Sequence, residues 1–167
     1  MLKGSKLFSL CCLFLLCASV FSAEQAFDPP LIQIGGGAFN VTKHKRSALV
    51  QFEYKWRPVV AKLRPFVGLM ATDKESVYAY GGIGYDLFIG KNFALTPSFA
   101  PGLYYRGKGK NLGFPLEFRS SIEAAVVFGG QHRIGAQFYH LSNASLSHKN
   151  PGAEALVFFL AIPLSSK

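Results

Sequence analysis

The chain has 167 residues, 50% of them hydrophobic, and its 18 Lys and Arg against 9 Asp and Glu give a formal net charge of +9 at pH 7. This length suits one domain with a substantial core and excludes a large multidomain assembly. The basic charge admits nucleic acids, anionic membrane surfaces or acidic substrates as partners.

The first 23 residues have the composition of a cleavable signal peptide. Two lysines precede an apolar run over 7–18, and small residues follow it. This run is shorter than the roughly 20 residues that a membrane-spanning helix needs, which disfavours the alternative of an uncleaved anchor. We therefore predict removal of residues 1–23 and export of residues 24–167 as one domain, and export argues against a nucleic acid partner.

All three cysteines, Cys11, Cys12 and Cys17, lie within the predicted signal peptide. The mature chain would therefore contain no thiol for a disulfide, a metal site or a nucleophile. Four histidines are present in the chain, but no two of them have the spacing of metal ligands. We predict neither a metal site nor a cofactor.

Beyond the signal peptide, apolar and polar residues alternate in segments of about ten residues, which is the weak signature of a membrane β-barrel. Along 48–56 one set of alternate positions is apolar, whereas Gln51, Glu53 and Lys55 share the other face. The same alternation recurs along 116–128. The pattern favours an apolar outside and a polar interior, with an exported soluble β-sandwich as an alternative.

The predicted fold class is all-β, an eight-stranded antiparallel transmembrane β-barrel. An even strand number suits a closed bacterial barrel, and side chains fill the interior of an eight-stranded one, so no open channel is expected. The long polar connections, which are mostly basic, are assigned to the extracellular end. Pro65, Pro97 and Pro101 interrupt predicted strands, because proline removes a ladder donor. The eight segments are 31–41, 47–57, 63–71, 76–89, 93–105, 115–128, 132–143 and 154–164.

The stretch FYHLSNASLSHKNPGAEALVFF, residues 138–159, places a histidine, a serine and a glutamate in apolar surroundings. The alternation puts His140, Ser142 and Glu154 on the outward rows of the last two strands. In a hairpin symmetric about His148, Ser142 would face Glu154, and Glu154 would lie diagonal to His140 at about 7–8 Å between Cα atoms. Hydroxyl, imidazole and carboxylate so placed can make a serine nucleophilic. The alternative is a set of interfacial polar residues without a catalytic role.

The last strands resemble the lipid A 3-O-deacylase family of the Gram-negative outer membrane. In FYHLSNASLSHKNPGAEALVFFLAIPL the shared features are His-x-Ser-Asn, a glycine-bearing polar loop, a Glu twelve residues after the Ser and an Ile-Pro ending. The resemblance implies an eight-stranded barrel with its site on the outer, membrane-facing wall. It also implies that Ser142 is the nucleophile, that His140 is the general base and that Glu154 orients His140. Over the preceding hundred residues the resemblance is architectural.

By the same resemblance, the oxyanion stabilisers are the backbone around Asn143 and the residue Asn150, and Ser145 stands where the family often has glycine. The implied reaction is hydrolysis of the 3-O-linked hydroxyacyl chain of lipid A, a component of lipopolysaccharide, at the extracellular-leaflet side of the outer membrane.

The basic loops are suited to binding the phosphates of lipid A, and Lys149 and Arg106 are the candidate contacts. A catalytically silent barrel that anchors or binds at the surface is the alternative. Oligomeric state and acyl selectivity stay open. The basic residues expected at the extracellular rim of the barrel, near these phosphates, are Lys43, Lys45, Arg46, Arg106, Lys108, Lys110 and Lys149.

Overall fold

A computed structural model of the chain describes residues 28–42 and 46–164. The predicted signal peptide and its cleavage site lie outside the described residues, so this assignment stays a prediction. Lys43 and Lys45 of the first basic loop also lie outside them, as does the C-terminal segment 165–167.

The described residues form nine β-strands and one short 3-10 helix. Within this part of the chain, no helix is long and apolar enough to cross a membrane. The strands are β1 (Leu31–Phe39), β2 (Ser47–Lys55), β3 (Leu63–Thr72), β4 (Val77–Tyr85), β5 (Leu87–Ile89), β6 (Phe93–Tyr105), β7 (Leu116–Phe128), β8 (His132–Ser142) and β9 (Ala153–Pro163), and the 3-10 helix is Val60–Lys62.

The segment predicted as one strand over 76–89 is divided at Asp86 into β4 and β5. Both parts pair with β6 in one register, because Val77 lies opposite Tyr105 and Leu87 opposite Leu95. They therefore act as a single barrel strand. At the division, the Asp86 carboxylate is buried and accepts hydrogen bonds from Arg64 and Thr96.

The sheet is a closed barrel of eight antiparallel strands, which confirms the predicted fold class. Successive strands are neighbours, β4 pairs with β6, and β1 pairs with β9 to close the sheet. The prolines are accommodated within β3 and β6. Pro101 coincides with a gap in the β4–β6 ladder, where pairing resumes at Gly102 on one side and Phe99 on the other.

The alternation of inward and outward residues also follows the prediction. Val50 and Phe52 of β2 face outward and are exposed, whereas Gln51, Glu53 and Lys55 are buried inside the barrel. Large apolar side chains are exposed on the outward rows of the other long strands as well. We call the surface formed by these rows the outer wall.

Side chains fill the barrel interior, as expected for eight strands. Its middle contains the buried ion pairs Glu53–Arg119, at 2.7 Å, and Lys55–Glu123, at 2.6 Å. Toward one end, a cluster of buried aromatic and apolar residues surrounds Tyr78 and Tyr139. The long connections leave the barrel at this end, which we call the loop rim. These connections are 40–46, 73–76, 106–115 and 143–152.

Candidate functional site

The β8–β9 hairpin brings His140 and Glu154 together on the outer wall, close to the loop rim. The two residues lie directly opposite one another in the ladder. His140 Nδ1 and Glu154 Oε1 are 3.1 Å apart, which is hydrogen-bonding distance. Both side chains are partly exposed, at 44% and 23%. The predicted placement of this pair on one outward face is therefore what the structure shows.

The predicted register of the hairpin was wrong. Glu154 pairs with His140 and not with Ser142, and Leu141 pairs with Ala153. The centre of the hairpin is therefore Ser147 and not His148. The loop is not symmetric, since Ala144 and Ser145, just after β8, have φ near +50° and +64°, whereas Gly152 is the one such residue before β9. The displacement is even in residue count, so it kept every side chain on its predicted face.

Ser142 lies on the same outward row as His140, two residues further along β8. The spacing of alternate strand residues places their Cα atoms about 7 Å apart. Among the hydrogen bonds of residues 28–42 and 46–164, none joins the Ser142 hydroxyl to His140. The structure thus brings His140 and Glu154 into contact and places Ser142 beside them on one face.

Two contacts at this site were not predicted from the sequence. The Thr42 hydroxyl, in the β1–β2 loop, donates a hydrogen bond to Glu154 Oε2. Gly152 packs against the imidazole, because a Cβ on this residue would lie 2.6 Å from His140 Cε1. The sequence showed a glycine in this polar loop. It gave no indication of the Thr42 contact, because Thr42 is 112 residues from Glu154 in sequence.

Asn143 connects the β6–β7 and β8–β9 loops beside the candidate site, and its side chain is fully buried. Its Nδ2 donates to the carbonyl oxygens of Leu112, at 3.0 Å, and Lys149, at 2.9 Å. Its backbone N–H donates to Asn150 Oδ1 at 3.1 Å. The arrangement holds the β8–β9 loop against the β6–β7 loop and determines the orientation of the Asn150 amide. The Asn143 N–H therefore already has a hydrogen-bond acceptor in this structure.

The basic residues of the loop rim differ in their partners. Arg106 and Lys149, the two predicted phosphate contacts, are both exposed. Lys108 forms an ion pair with Glu75, and Lys110 donates to Asn40 Oδ1 at 2.7 Å. Within the described ranges, no group of three or more His, Cys, Asp or Glu residues is placed to hold a metal ion.

A closed barrel with an apolar outer wall, carrying a histidine–carboxylate pair and a serine on that wall, defines an outer-membrane β-barrel with a candidate ester-hydrolase site. The family model of lipid A 3-O-deacylases (PagL) matches residues 38–163. The chain belongs to this family, which confirms the resemblance found in its last two strands.

Individual relatives agree with the family and the fold. The chain is 30% identical over 99 residues to the lipid A deacylase PagL of Pseudomonas aeruginosa, and the match covers 59% of this chain and 49% of that protein. The matched part thus spans about half the length of this curated relative. The crystal structure of the outer membrane enzyme PagL has a TM-score of 0.62 at 20% identity and covers 80% of this chain and 99% of its own. Neisserial surface protein A has a TM-score of 0.61 at 10% identity, with coverages of 81% and 97%.

Proposed function

We propose that this protein hydrolyses the ester bond of the 3-O-linked hydroxyacyl chain of lipid A, with Ser142, His140 and Glu154 as a catalytic triad. The observation that carries the proposal is the contact of 3.1 Å between His140 and Glu154 on the outer wall of a chain of this family. The ester bonds of lipid A lie just beneath its phosphorylated head group in the outer leaflet. A site on the outer wall beside the loop rim would meet them there.

Each member of the proposed triad is given a role. Glu154 accepts a hydrogen bond from His140 Nδ1–H and so favours the tautomer whose Nε2 is free to act as a base. Ser142 Oγ attacks the carbonyl carbon of the ester while His140 takes its proton. A side-chain rotation that brings Ser142 Oγ to His140 Nε2 completes the relay, since such contacts are often long in the absence of substrate.

Two steps of acyl transfer follow from these roles. The bond between the carbonyl carbon and the sugar oxygen breaks, and His140 gives its proton to that oxygen. The acyl chain is then held as an ester of Ser142. Water attacks this ester with His140 again as the base. The bond between the carbonyl carbon and Ser142 Oγ breaks, His140 returns the proton to Oγ, and the hydroxy fatty acid leaves. Both steps use the same base, so loss of His140 is expected to stop both.

The loop after β8 is proposed to stabilise the tetrahedral intermediates. Asn150 turns its Oδ1 toward the Asn143 N–H, so its Nδ2 is the group that can donate to an oxyanion. Asn143 supports this loop through its buried amide, and the backbone after it would supply further donors. The exposed Arg106 and Lys149 would contact the phosphates of lipid A.

The proposal predicts that Ser142→Ala and His140→Ala each remove nearly all hydrolysis, because the members of a triad act as a unit. Glu154→Ala is expected to cost less, since this carboxylate orients the base and makes no bond to substrate. Mass spectrometry of lipid A from cells expressing each variant measures the loss of one hydroxyacyl chain. Heat-dependent electrophoretic mobility verifies that each variant is a folded barrel.

Ser120→Ala is the matched control for the nucleophile. Ser120 is exposed on the outer wall, directly opposite His140 on the neighbouring strand. We expect Ser120→Ala to retain measurable hydrolysis where Ser142→Ala does not. Activity in a folded Ser142→Ala variant would reject the triad. An unchanged lipid A profile with the unmodified protein would instead favour a catalytically silent barrel.

A further inference from the structure

The Glu154 carboxylate is held from two sides. Its Oε1 faces His140 Nδ1, and its Oε2 accepts a hydrogen bond from the Thr42 hydroxyl. These two partners come from different parts of the barrel, since His140 lies on β8 and Thr42 in the β1–β2 loop. Each carboxylate oxygen therefore has one defined partner, which leaves the group little freedom to turn away from the imidazole.

We propose that Thr42 is a positioning residue that acts through Glu154, which rests on the triad proposed above. With Thr42 bound to Oε2, Oε1 stays directed at His140 Nδ1, and the imidazole keeps its orientation and tautomer. A carboxylate at a water-exposed rim would otherwise sample several rotamers and accept hydrogen bonds from water. Partners of this kind around a reactive group limit such motion and preserve its geometry.

A backbone hydrogen bond already attaches the β1–β2 loop to the barrel. The Val41 N–H donates to the carbonyl oxygen of Glu154 at 3.0 Å, so the first loop residues are already fixed to β9 without any side chain. Thr42 itself is exposed. Replacing its hydroxyl by a methyl group in Thr42→Val would remove the contact to Oε2 and keep both the backbone bond and the side-chain shape.

Kinetics of the full-length protein, folded in detergent micelles, test the proposal with lipid A as substrate. Thr42→Val is expected to lower kcat about 3- to 10-fold, the order expected for the loss of one typical hydrogen bond at an exposed site. KM should stay within about twofold, because the Thr42 hydroxyl contacts Glu154 and no substrate group. Thr42→Ser should restore most of kcat. Thr72→Val is the matched control, since the Thr72 hydroxyl accepts hydrogen bonds from backbone N–H groups at the loop rim, away from Glu154.

A double-mutant cycle separates action through Glu154 from general support of the loop. In a Glu154→Ala background, Thr42→Val should have no further effect on kcat, since the group it positions is gone. An additional loss of the same size would overturn the proposal, and so would an unchanged kcat for Thr42→Val in the unmodified background. Both of those outcomes leave the triad intact. Full activity of Ser142→Ala would reject the proposed function itself, and this inference with it.

Discussion

At the scale of single residues, Gly152 shows how closely the β8–β9 loop approaches His140, the proposed catalytic base. It has φ near +56°, and a Cβ here would lie 2.6 Å from His140 Cε1 and 3.2 Å from Nε2. We predict that Gly152→Ala displaces the imidazole from Glu154 and lowers kcat by at least about tenfold, because a misplaced base costs orders of magnitude in rate. Lipid A hydrolysis by the folded variant measures this effect.

Gly90→Ala is the control for backbone strain in that experiment. Gly90 has a similar φ, near +65°, but a Cβ at this position would have nothing within 4 Å, and the residue lies at the other end of the barrel. The substitution should cost about 1 kcal/mol of stability with unchanged kcat. Equal losses of activity in both variants would mean that strain, and not contact with His140, explains the result.

A second prediction at this scale concerns substrate charge. If Arg106 and Lys149 contact lipid A phosphates, replacing both by alanine should weaken turnover of bis-phosphorylated lipid A and leave hydrolysis of a small neutral ester almost unchanged. Higher salt should reproduce the loss by screening. Lys108→Ala is the control, since Glu75 already neutralises this lysine. Equal losses on both substrates would point to damage of the fold or the triad.

At the scale of elements, the β8–β9 hairpin shows what the sequence could predict. The two-residue period of a strand assigned His140, Ser142 and Glu154 to one face, and this was right because the period does not depend on register. The exact partner of Glu154 depended on the loop conformation. The assumption of a symmetric hairpin placed that partner two residues too far along β8, at Ser142 instead of His140. The Thr42 contact arises only when β1 and β9 pair to close the barrel, so no local pattern contains it.

The β8–β9 loop contains a residue with an unfavourable backbone conformation. Ser145 has φ near +64°, in the left-handed region that costs an ordinary residue roughly 1–2 kcal/mol and favours glycine. We predict that Ser145→Gly leaves kcat unchanged and is more stable than His148→Gly by about 1 kcal/mol. His148 is in the same loop with an ordinary φ. Thermal unfolding in detergent measures the difference, and a lower stability for Ser145→Gly would contradict the assignment of strain.

At the scale of the whole molecule, the barrel interior holds a charged network that the outer wall does not share. The Arg119 guanidinium lies between the rings of Tyr80 and Tyr139, at 4.5 and 4.6 Å from their centroids, and donates to Glu53. Tyr80 and Gln51 also donate to the Glu53 carboxylate. Side chains from several strands thus meet at one acid, which couples the parts of the barrel to each other.

We therefore predict a large difference between buried and exposed ion pairs in this protein. Glu53→Gln should lower the free energy of unfolding by about 3–5 kcal/mol, because it leaves the Arg119 charge buried without its counterion. Glu75→Gln, which removes the exposed partner of Lys108, should cost less than about 1 kcal/mol. The temperature at which heated samples change electrophoretic mobility reports both effects. Substituting Arg119→Met together with Glu53→Gln should recover part of the loss, since no charge then stays buried alone. Near-equal effects of Glu53→Gln and Glu75→Gln would show that water reaches the interior network. Below the unfolding transition, kcat should stay unchanged in all of these variants, since the proposed triad is on the outer wall.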